Sequence, residues 1–495
     1  MANPIDLFTF DGYFLNTRRL FASIYFHIFQ HVTTMQIRWK DFVEAIRGGK
    51  TDFTSGSVRR AIFLLSVPMI LEMSMESLFA VVDAYFVGQV SVDALATLGL
   101  TESVMFLVYS LAIGLSMAVT AMVARRIGEK NPTGAAEVAG QSIYLALGLS
   151  LLVAVPGYIF AEDILRLMGG DQQMIDSGLG YTQIMLGGNA TAMMLFLLNA
   201  VFRGAGNATL AMYSLWLANA INIVLDPCLI LGLGPFPELG VAGAAVATNI
   251  GRGTGVIFQL IILLGGRSLI PMARDSFRFH FDVMKKLFLV SLGGMGQYLV
   301  NSASWIFLVR IIAQFGSAAV AGYTIAIRVI IFTILPSWGI ASASATLVGQ
   351  NLGAGKPDRA EKSVWLAAFY NMVFLVGVGL VFAVGAEFFI RIFNEEPEVV
   401  KIGKQSLQVL CASYVFFAYG MVVIQSFNGA GDTRTPLLIS LMCLWVIQIP
   451  MAYTLAVFWN WGPLGVFISI ALCEAIMTGV AIYLFRLGRW KTIKV

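Results

Sequence analysis

The heptapeptide RIGEKNP at residues 126–132 recurs as NLGAGKP at residues 351–357, with its glycine and its proline each 225 positions further on. The pentapeptide RGAGN at 203–207 recurs at the same spacing as NGAGD at 428–432. A third short match has this spacing too, since LGV occurs at 239–241 and at 464–466. Three separate matches with one spacing predict that the chain contains two copies of one structural unit.

Long apolar runs fill both copies. The chain of 495 residues is 58% hydrophobic and 12% charged, and a typical soluble protein has about 25% charged residues. Polar breaks after residue 60 separate twelve runs, each near the ~20 residues that a membrane-spanning helix needs. The predicted fold is an all-α integral membrane protein with twelve transmembrane helices in two six-helix lobes. The predicted spans are 61–88, 94–123, 137–160, 179–202, 209–233, 240–265, 287–314, 318–347, 364–386, 406–428, 435–458 and 464–486.

Basic residues predict the orientation of these spans. Of the 32 Lys and Arg residues, 25 fall in the N-terminal tail, in alternate loops and at the C-terminus, whereas the other loops hold four. Basic loops stay in the cytoplasm, so both termini are predicted to be cytoplasmic and the net charge of +4 is not a nucleic-acid signal. Because each copy has an even number of spans, both copies face the same way, as in transporters whose substrate path lies between parallel repeats.

The predicted organisation has four parts. An N-terminal extension at 1–50 precedes the N-lobe at 51–266, and a cytoplasmic linker at 267–286 leads to the C-lobe at 287–495, which ends in a basic tail. The extension is aromatic and interrupted by charges, so we expect it to lie on the membrane surface, or to be absent if translation starts at Met35.

Three acids interrupt the first predicted span, in LEMSMESLFAVVDAYFVGQ at 71–89. At 100° per residue, Glu72, Glu76 and Asp83 lie within about 40° of one another on one helical stripe. None of the residues 225 positions further on is acidic: they are Gln297, Asn301 and Leu308. The duplicated scaffold therefore does not require these acids, and we expect them to serve a function of the N-lobe.

The fifth predicted span contains Asn222 and Asp226, four residues apart on one helical face. Asp226 and Asp83 lie at matched depth in the outer half of the bundle. An ionised Asp within a bilayer costs about 2.5–3.5 kcal/mol, so both should face a polar interior. Two neighbouring carboxylates can take up a proton, and their oxygens can hold Na⁺. The alternative is a structural role, with Arg252 or Arg328 as the partner of an acid.

Other features of the spans are interpreted around this pair of acids. Glu72 and Glu76 are predicted to line a substrate cavity, nearer the cytoplasm than Asp83. Pro68 removes a backbone donor from the first span and allows it to bend, or imposes a static kink. A membrane-embedded hydrolase is disfavoured because the predicted spans contain no histidine and the sequence has no HExxH or GxSxG motif. His27 and His31 are not expected to bind a metal.

The sequence resembles the multidrug and toxic compound extrusion (MATE) family from about residue 50 to residue 490. The stretches that carry the resemblance are SVPMILEMSMESLFAVVDAYFVGQVSVDALATLGL (66–100), LDPCLILGLGPFPELGVAGAAVAT (225–248) and LVGQNLGAGKPDRAEK (347–362). Membership would imply two six-helix lobes around a V-shaped cavity. It would also imply efflux driven by inward movement of H⁺ or Na⁺.

The motif spacing is similar to the prokaryotic branch related to DNA-damage-inducible protein F. That resemblance implies a cation site at Asp83, Asn222, Asp226 and Thr248, with Asn199 as a supporting ligand. It also implies that the helix around Pro68 bends on protonation. Other branches carry cation-binding acids in spans seven and ten. The corresponding stretches here have Asn301 and YVFFAYGMVV (414–423), so coupling through the C-lobe is not expected.

The predicted function is secondary active antiport in the bacterial inner membrane, exporting amphipathic cationic organic compounds or drugs in exchange for H⁺ or Na⁺. The alternative is a flippase or exporter of lipid-linked or other endogenous metabolites. No enzyme activity, cofactor, nucleic-acid partner or metal other than Na⁺ is expected, and the protein is predicted to act as a monomer in the lipid bilayer.

Overall fold

A computed structural model describes residues 39–493, apart from 50, 89, 91 and 267, together with Val495. The expectations for residues 1–34, for the Met35 start and for His27 and His31 therefore lie outside the described residues. The described part of the extension forms helix α1, Trp39–Arg47. Described residues 39–43 belong to a different compact unit from residues 44–495, and the fold described below is that of residues 44–495.

Helices make up almost all of the described residues, and no strand occurs among them. The N-lobe contains α2 to α9: Val58–Gly88, Val92–Gly128, Pro132–Ile159, Ala161–Leu167, Gln172–Gly187, Asn189–Gly204, Ala208–Ile230 and Val241–Leu264. The C-lobe contains α10 to α17: Phe281–Ala313, Ser317–Gly353, Pro357–Val384, Ala386–Arg391, Pro397–Ala412, Tyr414–Ala430, Arg434–Phe458 and Pro463–Arg486.

Within the described residues, nine helices are long and apolar enough to cross a membrane. Two bent pairs, α6 with α7 and α14 with α15, bring the number to eleven, with bends of 41° and 55°. The predicted seventh span corresponds to α10, which has 33 residues but a more polar middle. Helix α10 begins at Phe281, within the predicted linker.

The helices repeat at the predicted spacing through most of the chain. Helices α3, α4, α6 and α7 begin at Val92, Pro132, Gln172 and Asn189. Their counterparts α11, α12, α14 and α15 each begin 225 residues later. The fold is therefore built from the same set of elements twice.

The third sequence match, LGV, does not align the corresponding helices of the two lobes. Helix α9 begins after Gly240 and α17 begins after Gly462, both with positive φ (56° and 62°), so these helices are 222 residues apart. Gly243 and Gly465, also 222 apart, pack on the backbone of the preceding helix, where a side chain would not fit. The C-lobe has the shorter connection, four residues between α16 and α17 against ten between α8 and α9, and this changes the register.

The lobes meet where RIGEKNP and NLGAGKP end α3 and α11. A Cβ added at Gly128 would collide with the carbonyl oxygen of Gln350, and one added at Gly353 would collide with that of Arg125. The two contacts are related by the internal repeat. Gly353 is the counterpart of Gly128, and Gln350 is the counterpart of Arg125, each 225 positions further on. Here the lobes touch backbone to backbone.

Candidate functional site

A cavity of about 350 Å³ lies between the lobes. Its charged wall residues all belong to the N-lobe: Glu72, Glu76, Glu102, Arg203 and Arg252. Aromatic rings come from both lobes: Phe79, Phe106, Tyr109, Phe196, Tyr298 and Trp338. The cavity therefore combines separated charges with flat apolar surfaces, which suits amphipathic aromatic molecules.

Glu72 is fully buried in α2 and holds a cluster of polar side chains. Its Oε1 accepts hydrogen bonds from the Asn199 amide at 3.0 Å and from the Arg203 guanidinium at 3.2 Å. Its Oε2 has no hydrogen-bond partner among the described residues. The Asn199 oxygen in turn accepts from the Gln259 amide at 2.5 Å.

The C-lobe contains the same pair without charge. Asn428 and Gln297 stand 225 positions after Arg203 and Glu72, and the Asn428 amide donates to Gln297 Oε1 at 3.3 Å. An ion pair in one lobe thus corresponds to an amide pair in the other. The internal repeat showed that Glu72 has no acidic counterpart in the C-lobe. The predicted span 179–202 left Arg203 in a loop, whereas Arg203 is the penultimate residue of α7 and lines the cavity.

Glu76 is a second acid of the cavity wall. Its Oε2 accepts a hydrogen bond from the Asn219 amide of α8 at 3.2 Å. One neutral donor leaves most of the acceptor capacity of this carboxylate available to the cavity. Glu76 can therefore attract a cationic group that enters.

Asp83 of α2, Asn222 and Asp226 of α8, and Thr248 of α9 are all buried and lie outside the cavity lining. The Asn222 amide donates to the Thr248 hydroxyl at 3.1 Å. Four side-chain oxygens have no hydrogen-bond partner within 3.5 Å among the described residues: Asp83 Oδ1, Asn222 Oδ1 and both carboxylate oxygens of Asp226. The Asn222 side chain is nevertheless close enough to Asp226 to stabilise its charge. The charge of Asp83 also acts on Asp226.

Such unsatisfied oxygens are costly unless a proton or a cation joins them. We refer to Asp83, Asn222, Asp226 and Thr248 as the oxygen cluster. It offers carboxylate, amide and hydroxyl oxygens, the ligands that hard cations prefer. Across the described residues, no group of three or more His, Cys, Asp or Glu side chains could hold a metal ion.

Asn199 is not part of the oxygen cluster. Both polar ends of its side chain are already used, the amide by Glu72 and the oxygen by Gln259. In the structure Asn199 supports Glu72, and its role as a supporting ligand of the cation site stays a prediction.

Neither arginine proposed as a structural partner pairs with the aspartates. Among the described residues, no carboxylate lies within 4.0 Å of Arg252, and Arg328 is exposed on α11 without a recorded ion pair. The Arg252 guanidinium instead donates to the Tyr109 hydroxyl at 3.0 Å and lies over the rings of Phe79 and Tyr109.

Pro68 is buried within α2, which runs without interruption from Val58 to Gly88. Gly339 of α11 packs on the backbone directly after this proline, where an added Cβ would lie 2.8 Å from the Ile70 nitrogen. Any bend at Pro68 would therefore change a contact between the lobes.

The family model for MatE matches this chain twice, over residues 68–228 and 295–454. The chain belongs to the MatE family. MatE proteins, the multidrug and toxic compound extrusion (MATE) proteins, are transporters, so this chain is a multi-pass membrane transporter and not an enzyme.

Relatives in this family align over most of their length. The "Probable multidrug resistance protein NorM" of Thermotoga maritima is 27% identical over 438 residues, covering 88% of this chain and 93% of the relative. The "FAD transporter" of Shewanella oneidensis is 25% identical, covering 87% and 94%. A crystal structure of MATE in the straight conformation superposes with a TM-score of 0.83 at 26% identity, covering 89% and 98%. The resemblance in sequence is confirmed, and so is the two-lobed MATE fold.

Sequence reasoning missed the two basic residues of the cavity wall in this MatE protein. A signal existed for Arg252, because an arginine within an apolar span needs a polar environment. In the corrected register, its C-lobe counterpart is Glu474, a residue of opposite charge whose Oε2 is buried without a partner among the described residues.

Proposed function

We propose that this MatE protein is a secondary active antiporter of the bacterial inner membrane. It exports amphipathic organic compounds, including cationic drugs, in exchange for H⁺ or Na⁺, with both termini in the cytoplasm and a single chain as the working unit. The oxygen cluster binds the coupling ion, and the cavity between the lobes binds the substrate.

The observation that carries this proposal is the set of four unsatisfied oxygens next to a separate amphipathic cavity. Two buried aspartates with unsatisfied oxygens gain most when a proton or Na⁺ arrives. Asp83 and Glu76 lie on the same helix, α2, so ion binding at one acid can move the helix that carries the other. Binding of the ion and release of the substrate are then coupled through α2, because this helix contributes to both sites.

The names of the relatives fit both candidates, export of drugs and transport of an endogenous metabolite. The NorM relative is named for multidrug resistance and the Shewanella relative for transport of FAD. Drug export is favoured here because the cavity wall contains three acids against two arginines and is otherwise largely apolar. A flippase for phosphate-bearing lipids would need a basic cavity. Because this wall has more acids than arginines, the flippase is the second candidate.

The test is dye export from everted vesicles, with a pH gradient and a Na⁺ gradient imposed separately. Asp83→Asn and Asp226→Asn should each reduce gradient-driven export by about tenfold or more, because an amide cannot exchange a proton and binds Na⁺ weakly. Asp176→Asn, on the exposed face of α6, is the matched control. Undiminished export in both cluster variants would rule out the coupling site.

A further inference from the structure

The guanidinium of Arg252 is a buried charge that faces the cavity and has no ion-pair partner within the described part of the chain. Arg252 is 8% exposed and lines the cavity. Its only recorded hydrogen-bond acceptor among the described residues is the Tyr109 hydroxyl, at 3.0 Å. Arginine has five N–H donors, so most of its donor capacity is directed at whatever occupies the cavity.

The surroundings of Arg252 hold this donor group in place. Phe79 and Tyr109 lie beside the guanidinium, with ring centroids at 5.9 and 5.6 Å. Rings at these distances stabilise the cation and fix the plane of the guanidinium. A planar, fixed guanidinium matches the two oxygens of a carboxylate.

The nearby acids act on Arg252 from a distance and do not neutralise it by contact. The charges of Asp83, Glu76 and Glu102 all interact with that of Arg252, yet none of these acids lies within 4.0 Å of it. Positive and negative groups are thus spaced apart around one small cavity. The same acids would repel a multiply charged phosphate, so the anion that fits is singly charged.

We propose that Arg252 binds a carboxylate of the substrate, and that the preferred substrates are aromatic amphiphiles that carry one carboxylate. Their rings pack between Phe79, Tyr109 and the C-lobe residues Tyr298 and Trp338, and a basic group, where present, faces Glu76 or Glu102. This inference rests on the proposed function, because it names the substrate of the same cavity.

Two dyes that differ at one position test the inference. Rhodamine 110 has a free carboxyl group, and rhodamine 123 is its methyl ester. The dissociation constant of each dye is measured with the purified full-length protein by fluorescence anisotropy. Wild-type protein should bind the acid more tightly than the ester.

The variants show whether Arg252 causes this preference. Arg252→Gln should weaken binding of rhodamine 110 by about tenfold or more, the loss of one charge-assisted contact. Binding of the cationic rhodamine 123 should become tighter, because a positive charge leaves the cavity. Arg252→Lys should restore part of the preference, since it keeps the charge but not the planar fork. Arg310→Gln, an exposed arginine outside the cavity lining, is the matched control.

Equal binding of both dyes by the wild type, binding of neither, or parallel losses for both dyes in Arg252→Gln would overturn the inference. Parallel losses would identify Arg252 as a structural counter-ion of the nearby acids. The proposed antiport is judged separately, from gradient-driven export in vesicles. Driven export without a preference for the acid would leave antiport standing and remove only the role of Arg252.

Discussion

At the scale of single residues, the internal repeat provides a comparison within one molecule. The buried Glu72 and the partly buried Arg203 form an ion pair, and Gln297 and Asn428 form its uncharged counterpart. The fold therefore accepts either version at this position. What the N-lobe adds is charge in the wall of the cavity.

This equivalence predicts a rescue. Glu72→Gln or Arg203→Asn alone should reduce the free energy of unfolding by about 2–3 kcal/mol, because each leaves a buried charge without its partner. The double variant builds the C-lobe pair into the N-lobe, so it should recover most of this loss. Thermal unfolding of the purified variants measures the effect. Losses that simply add in the double variant would mean that the two residues are not coupled.

At the scale of elements, α2 connects the two sites. It carries Asp83 of the oxygen cluster and Glu72 and Glu76 of the cavity wall, and Pro68 lies one turn before Glu72, the first of these acids. Pro68 cannot donate to the carbonyl of Leu64, so the helix lacks a hydrogen bond where it packs on Gly339. A helix weakened at this point can change shape at little cost in free energy.

Pro68→Ala should therefore change thermal stability and the export rate in opposite directions. The added N–H group should raise the midpoint of thermal unfolding, while stiffening of α2 should slow gradient-driven export several-fold. Pro156→Ala, at an exposed interior position of α4, is the matched control and should leave export unchanged. Equal export rates in the two variants would show that α2 does not act as a hinge.

The elements also show how far the sequence alone could lead. Span lengths and the 225-residue spacing predicted the helices and their two-fold repetition, because apolar length and repeated glycines are local signals. The register of the last helix was missed, since a three-letter match occurs easily by chance and the true marker is a glycine that packs on backbone. The contact of Arg252 with Tyr109 depends on packing between helices far apart in the chain, which spacing along one helix cannot indicate.

At the scale of the whole molecule, the lobes meet through two reciprocal contacts, Gly128 with Gln350 and Gly353 with Arg125. Two hydrogen bonds between the lobes lie nearby, from the Gln350 amide to the carbonyl of Gly204 at 3.0 Å and from the Thr346 hydroxyl to that of Arg203 at 3.2 Å. Backbone groups of both lobes and two side chains of the C-lobe therefore meet at this end of the cavity.

Alanine at either glycine should push the lobes apart. Gly128→Ala and Gly353→Ala should each lower the free energy of unfolding by about 1–3 kcal/mol, the usual cost of overpacking a tight contact. The two losses should be similar, because the contacts are reciprocal. Gly148→Ala, in α4 with open space around an added Cβ, should be neutral or stabilising. Thermal unfolding checks all three, and an unaffected Gly353→Ala would contradict the reciprocity.

The glycine crossings are themselves insensitive to several of the physical forces that act on a membrane protein. Contacts made by neutral backbone atoms have no titratable group and no net charge, so acidity, ionic strength and membrane voltage barely change their strength. In the proposed mechanism an ion gradient acts on the acids of the N-lobe, and its effect reaches the crossings through movement of α2 and α11, which pack together at Ile70 and Gly339. The glycine contacts then respond to the ion only indirectly, through helices that the ion moves.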